Sequence, residues 1–232
     1  MLATRFGAET ASDGESHLPD DLRTAFLAIA HPSSVRRNQI VISEGIFSSD
    51  VYLILSGRVK VTLFSRRGHE QILREMGPNE IFGELSAIDR QRRSSTVIAV
   101  EDTRLAHLSG DEFIRFLAET PRAGLWMARQ LSVRIRDLTG KIFALATMPV
   151  SIRVQCHLMD RLAAARAAGE QSARIAPFPT HSELAKTIGT HREAVTRELR
   201  LLAKEGIIHQ NGRELEVLSV PRLEALVMRY IG

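Results

Sequence analysis

The sequence predicts an α+β chain of two domains: short antiparallel strands closed into a barrel, roll or sandwich, then one long helix, then a helix-turn-helix followed by a β-hairpin. Three observations carry this. Residues 38–108 hold short β-branched or alternating runs punctuated by Gly45, Gly57, Gly68, Gly77 and Gly83. Beyond Thr120 apolar residues recur at alternating spacings of three and four. Further on, two T-x-x-E capping boxes straddle Gly189 and precede an Asn-Gly hairpin signal.

Residues 1–18 are small and polar without a period, and read as a tail. From Pro19 to Ala30 a stripe of Leu22, Phe26 and Leu27 predicts a helix closed by His31-Pro32. Strands are expected at Ile40–Ile42, Val51–Leu55, Val59–Leu63, Gln71–Leu73, Thr96–Val100 and Leu105–Leu108. Together these make a domain over 19–120. Ser109 suits the N-cap of a helix over Asp111–Ala118. Thr120-Pro121 then reads as N-cap and first position of the long helix. Its apolar seam is Ala128, Leu131, Ile135, Leu138, Ile142 and Leu145, and Pro149 ends it. A helix of about 28 residues spans roughly 42 Å. Such a seam serves either as core packing or as a dimer interface, and 121–149 is read as a dimerisation helix and hinge.

The second domain, 150–232, opens with an apolar helix over Ile152–Ala168 and a loop over 168–179. Thr180-His181-Ser182-Glu183 and Thr190-His191-Arg192-Glu193 predict two short helices joined at Gly189, a helix-turn-helix. Ile207–His209 and Leu215–Leu218 flank Asn211-Gly212, a hairpin that would form the wing of a winged helix.

Composition narrows the function classes. The 232 residues are 44% hydrophobic and 25% charged, an ordinary globular balance. Cys156 stands alone, so an internal disulfide, a CxxC pair and a cysteine-rich metal site are excluded; in its apolar helix it reads as a buried small side chain. Trp126 reads as packing. The longest uncharged stretch around Pro149 is too short to span a bilayer, and the acidic N-terminus has no signal-peptide core, so no membrane partner and a cytoplasmic location are expected. Eight histidines include no H-x-x-x-H, so no metal is expected. With no GxSxG, P-loop or GxGxxG motif either, no catalysed reaction is expected. Residues 1–150 hold 19 basic and 18 acidic residues, the remaining 82 hold 12 and 9, so most of the +4 lies in the second domain.

The densest site signal runs from Phe82-Gly83-Glu84-Leu85-Ser86 to Arg93-Ser94-Ser95. A glycine lets backbone N–H groups approach an anion, a carboxylate accepts sugar hydroxyls, and an arginine forks onto phosphate. The same residues also fit a structural Glu84–Arg93 ion pair and a solvated arginine turn. The stretch resembles the phosphate-binding cassette of cyclic-nucleotide-binding domains, F-G-E-[LIV]-[AGS] followed by P-R-[AST]-[AS]. With the C-terminal half, residues 20–230 resemble the cyclic-AMP receptor protein/FNR superfamily of bacterial transcription regulators. That resemblance implies an antiparallel β-roll of the jelly-roll kind, with cyclic AMP, or cyclic GMP, as allosteric ligand. Glu84 would accept the ribose 2′-hydroxyl, Arg93 would pair with the cyclic phosphate, and Gly83, Leu85 and Ser94 would add backbone or hydroxyl contacts. Ser94 and Ser95 can also hydrogen-bond the base. Leu138 and Thr139 fall where the family places two polar base contacts, and only Thr139 is polar. Arg92 replaces the usual proline.

In the second domain Arg192, Glu193 and Arg197 recur at i, i+1 and i+5, so one helix aims them at one groove. Arginine bonds guanine bidentately and glutamate accepts from cytosine, which favours a G/C-containing half-site. Family members with R-E-x-x-x-R read TGTGA-like half-sites. Glu193 also suits a capping role, and Ser182, Thr190 and Thr196 suit phosphate contacts or caps. The expected partners are double-stranded DNA, a second copy of the chain and RNA polymerase; residues 168–178 read as a plain connector, with a polymerase contact as the alternative that their position in the family fold implies. Ligand would bias the long helix about a hinge at Thr147–Val150. Two other readings stay open: the same DNA-binding regulator without nucleotide or with another signal, and a nucleotide-binding module controlling a partner protein.

Overall fold

In a computed structural model, which describes residues 17–167 and 173–231, the glycine-punctuated runs form two four-stranded antiparallel sheets. The strands are β1 (His31–Val35), β2 (Ile40–Ile42), β3 (Val51–Ser56), β4 (Val59–Phe64), β5 (Glu70–Met76), β6 (Ile81–Phe82), β7 (Thr96–Ala99) and β8 (Thr103–Leu108). One sheet is ordered β1-β8-β3-β6 and the other β2-β7-β4-β5. Ile54, Val59, Met76, Phe82, Val97 and Leu105 form the core they share. Four helices accompany them: α1 (Asp20–Leu27), α2 (Glu84–Asp89), α3 (Gly110–Glu119) and α4 (Ala123–Thr147).

The chain divides into a unit of Ser12–Val133 and one that includes Arg134–Gly232, so the boundary falls inside α4. In the first unit β3 is buried on both faces. Val51 and Leu53 pack with Phe26, Phe113, Phe116 and Met127 of the helices, while Ile54 faces the strand core. Successive side chains point to opposite faces, which lets one strand serve two cores. Trp126 packs here as expected, its indole N–H donating to the His17 carbonyl at 3.3 Å.

Several local expectations are corrected. Residues 1–16 of the expected tail lie outside the described residues, but Leu18 is buried and its amide donates to the Asn79 carbonyl at 2.9 Å. His31-Pro32, read as a helix terminator, belongs to β1, an edge strand, where proline is tolerated. Ser109 does cap α3, in a full capping box with Glu112. Thr120, however, is the C-cap of α3, and Arg122 turns through a left-handed φ of 70° before α4 starts at Ala123, two residues later than the expected first position Pro121.

The second unit contains α5 (Val150–Ala167), β9 (Arg174–Ile175), α6 (His181–Ile188), α7 (Arg192–Lys204), β10 (Ile208–Asn211), β11 (Glu214–Val217) and α8 (Val220–Ile231). Val154, Leu158 and Leu162, four apart on α5, meet Leu184, Val195, Leu199 and Leu202 in one core. Strand β9, in what was read as loop, pairs with β11. The hairpin turn is Gly212-Arg213, one residue beyond Asn211-Gly212, because Asn211 pairs with Glu214. Helix α8 has no counterpart in the sequence reading, although Leu223 and Val227 show its spacing. Cys156 is half-buried, and burial, with Asp160, pushes its thiol up to about 11. Among the described residues no cluster suits a metal ion, and no helix is long and apolar enough to cross a membrane.

Candidate functional site

Strand β6 delivers the chain to Gly83, whose φ of 88° only glycine adopts without strain. A Cβ there would lie 2.8 Å from the Asp50 carbonyl and 3.0 Å from Arg93 Nη1. Helix α2 follows at once, so Glu84 sits in its first turn, 2% exposed, and Leu85 beside it is exposed. The six-residue helix ends at Arg90 in a left-handed conformation, and the chain returns through Arg92 and Arg93 to β7.

Arg93 is 4% exposed and held from three sides. Nε donates to Ser48 Oγ at 2.7 Å, Nη1 to the Gly83 carbonyl at 2.8 Å and Nη2 to the Asp50 carbonyl at 2.8 Å. Burial lowers its pKa, and the charges of Tyr52, Asp50 and Glu84 act in the other direction. A guanidinium has five N–H groups, so two remain for an anion. Burial, then Asp50, raises the Tyr52 phenol, whose ring stacks on Phe82 with centroids 5.1 Å apart. The structure therefore brings Gly83, Glu84 and Arg93 together. Ser94 is exposed and Ser95 half-buried beside them in sequence. Thr139 lies on the part of α4 that belongs to the other unit; it is exposed and its hydroxyl donates to the Ile135 carbonyl at 2.8 Å.

Sequence reasoning missed Ser48, Asp50 and Tyr52, which lie more than 40 residues from Arg93. Arg92 also acquires a role. Its guanidinium lies 3.9 Å from the centre of the Phe47 ring, and Nη1 donates to the Gly45 carbonyl at 2.8 Å. Backbone bonds from Gly45 N to Arg93 O and from Arg93 N to Ile46 O complete the attachment of this loop.

In the second unit Thr180 and Glu183 form the expected capping box. Thr190 and Glu193 do not. The Thr190 amide donates to the Ala185 carbonyl and so still closes α6, while His191, with extended backbone, becomes the N-cap of α7. Glu193 is thus not engaged in a capping box; it is exposed with Arg192 and Arg197. These three, with Arg200 and Lys204, lie along one open face of α7. Ser182 is exposed and Thr190 half-buried. Thr196 is half-buried on the same face, its hydroxyl donating to the Arg192 carbonyl at 2.9 Å and lying 2.8 Å from His181 Nδ1. His181 Nε2 reaches Gln210 of β10 at 3.3 Å, tying both helices to the hairpin.

On α4, Ala128, Ile135, Leu138, Ile142 and Leu145 are exposed, whereas Leu131 packs against the core of the first unit. Residues 168–172 of the expected connector, with its alternative RNA polymerase contact, lie outside the described residues.

A β-roll that brings Gly83, Glu84 and Arg93 together, followed by a winged helix-turn-helix that exposes Arg192, Glu193 and Arg197 on one helix, is the architecture of a two-domain, cyclic-nucleotide-binding type of transcription regulator. Residues 32–120 match the cyclic nucleotide-binding domain and 153–226 the Crp-like helix-turn-helix domain. The chain is 31% identical to the cyclic AMP receptor protein of Thermus thermophilus over 183 residues, 79% of this chain and 82% of that protein. It is 30% identical to a CRP-like cAMP-activated global transcriptional regulator of Mycobacterium tuberculosis, covering 83% and 86%. The structure of FixK2 from Bradyrhizobium japonicum has the same fold, with a TM-score of 0.72 at 19% identity over 85% of this chain and 97% of that one. The chain belongs to the CRP/FNR superfamily of transcription regulators.

Proposed function

We propose that the protein is a homodimeric, cytoplasmic regulator that binds cyclic AMP, with cyclic GMP as the alternative, between Gly83 and Ser95 and reads a TGTGA-like pseudo-palindrome with Arg192, Glu193 and Arg197. It acts by binding and catalyses no reaction. The observation that carries the ligand reading is Arg93: a buried cation, fixed by Ser48, Gly83 and Asp50, with two N–H groups left and the buried Glu84 carboxylate close enough to act on its charge. Phosphate fits the guanidinium and a ribose hydroxyl fits the carboxylate. Ser94 and Ser95 are positioned in sequence to add hydroxyl contacts, and Thr139 supplies the polar base contact.

The dimer reading rests on the exposed apolar stripe Ile135, Leu138, Ile142 and Leu145. A C2 pair of recognition helices about 34 Å apart would match two half-sites one DNA turn apart. Ser182 and Thr190 are assigned to phosphates, and Thr196 acts by positioning through His181. RNA polymerase is the further partner expected of a promoter-bound regulator. No metal takes part.

Calorimetric titration of wild type and Arg93→Ala with cyclic AMP and cyclic GMP tests the reading. Binding to wild type that is lost in the variant supports it, and no heat with either nucleotide refutes the ligand claim. A second reading, the same DNA-binding regulator without nucleotide, is favoured by Leu138, exposed and apolar where a polar base contact is expected. Unchanged DNA affinity in the presence of either nucleotide would establish it.

A further inference from the structure

Pro149 creates a defect at the end of α4. In an α-helix the Leu145 carbonyl accepts from the amide four residues on, and proline has none. Neighbouring groups are satisfied locally: the Ala144 carbonyl accepts from Met148 N at 3.0 Å and the Phe143 carbonyl from Thr147 Oγ1 at 2.8 Å. Two further carbonyls are met from outside the helix. Arg153 Nη1 of α5 reaches the Leu145 carbonyl at 3.4 Å, and Tyr230 of α8 donates its hydroxyl to the Thr147 carbonyl at 2.5 Å.

The same guanidinium does a second thing. Arg153 Nη2 donates to the Gly189 carbonyl at 3.2 Å. Gly189 is the left-handed C-cap of α6, three residues before α7 begins. One planar fork therefore spans the end of α4 and the turn that launches the helix bearing Arg192, Glu193 and Arg197. A lysine cannot reproduce this, because its single ammonium cannot hold two separated carbonyls in a fixed plane. Burial lowers the Arg153 pKa, consistent with a cation drawn in among backbone acceptors.

We propose that Arg153 and Tyr230 form a latch on the end of the long helix, Arg153 tying it to the helix-turn-helix turn and Tyr230 to the C-terminal helix, which makes Arg153 a positioning residue for DNA reading and α8 part of the hinge. The latch grips the Leu145 carbonyl, which Pro149 leaves without an amide, and the Thr147 carbonyl at the helix end. Its role in transmitting a ligand signal rests on the gating reading above; its existence as a hinge restraint does not.

The test uses the full chain as Arg153→Lys, which keeps the charge near DNA, and Tyr230→Phe, which removes one oxygen. Hydrogen–deuterium exchange is followed over residues 143–153, with β3 as an internal control. Both variants exchange about fivefold faster across the hinge and not in β3, as expected when a local restraint is lost. In parallel, anisotropy on a duplex carrying a TGTGA/TCACA palindrome, with and without cyclic AMP, gives the coupling factor. That factor falls by about fivefold in each variant, within the range by which residues touching neither ligand alter coupling. Hinge exchange within twofold of wild type in both variants overturns the latch. A wild type whose duplex affinity ignores cyclic AMP counts against the gating reading and leaves the exchange result to decide the latch alone.

Discussion

Replacing Gly83 with alanine tests the cradle at its tightest point. At φ 88° an L-residue is strained, a cost of about 1–2 kcal/mol. The new Cβ would also stand 2.8 Å from the Asp50 carbonyl, a backbone atom that cannot swing away like a flexible side chain. If that carbonyl moves, Arg93 Nη2 loses a charge-assisted hydrogen bond worth about 1.5–3 kcal/mol. The combined loss is roughly 2.5–5 kcal/mol, a large part of the stability of a small domain. Trp126, the single tryptophan, is bonded to His17 within the first unit, so its fluorescence during urea unfolding follows that unit. With a slope of about 1–3 kcal/mol per molar urea, the midpoint falls by about 0.8 M or more. A loss below about 1 kcal/mol would refute the claim that a close approach of two backbones, rather than chance, places glycine at 83.

Other consequences are as direct. Thr180→Ala removes the side-chain cap of α6 and costs about 1 kcal/mol in thermal or urea unfolding of the second unit; Thr190→Ala, which removes no cap, costs less than half of that. Arg192→Ala and Arg197→Ala each weaken binding to a selected duplex by about 1–3 kcal/mol at fixed salt and relax sequence preference, measured by anisotropy. Ile135→Glu with Ile142→Glu places charges on the exposed stripe of α4, and sedimentation equilibrium then shows monomer where wild type shows dimer. Cys156, with its thiol raised to about 11, is almost wholly protonated at pH 8, so it reacts with a thiol probe about a hundredfold more slowly than an ordinary cysteine and gains rate as pH rises toward 11.

The parts of this fold legible in the sequence are those in which cause and effect lie within a few residues. Ser109 with Glu112 and Thr180 with Glu183 cap their helices because donor and acceptor are three residues apart. Thr190 breaks that pattern for an equally local reason: its amide is engaged backward with Ala185, which moves the start of α7 to His191. Strands β1, β6 and β9 escape notice because they are short or carry proline, and pairing rather than propensity makes them strands. The Gly83–Glu84 and Arg93 halves of the cradle are legible as a motif. Their supports are not, because Ser48 and Asp50 reach Arg93 only once β3 and β7 share one barrel.

Strand β3 gives the cradle short reach. Asp50, whose carbonyl holds Arg93, is followed by Val51, which is fully buried in the cluster that also contains Ala123 and Met127 of α4. One peptide bond separates the ligand cradle from the side-chain layer on which the long helix begins. Interiors packed to crystal-like density pass small displacements on rather than absorbing them. On the proposed ligand reading, an anion that drew the Arg93 guanidinium toward itself would pull on the Asp50 carbonyl, and the next residue in line belongs to the cluster on which that helix begins. The strand is both the wall of the candidate site and the footing of the helix.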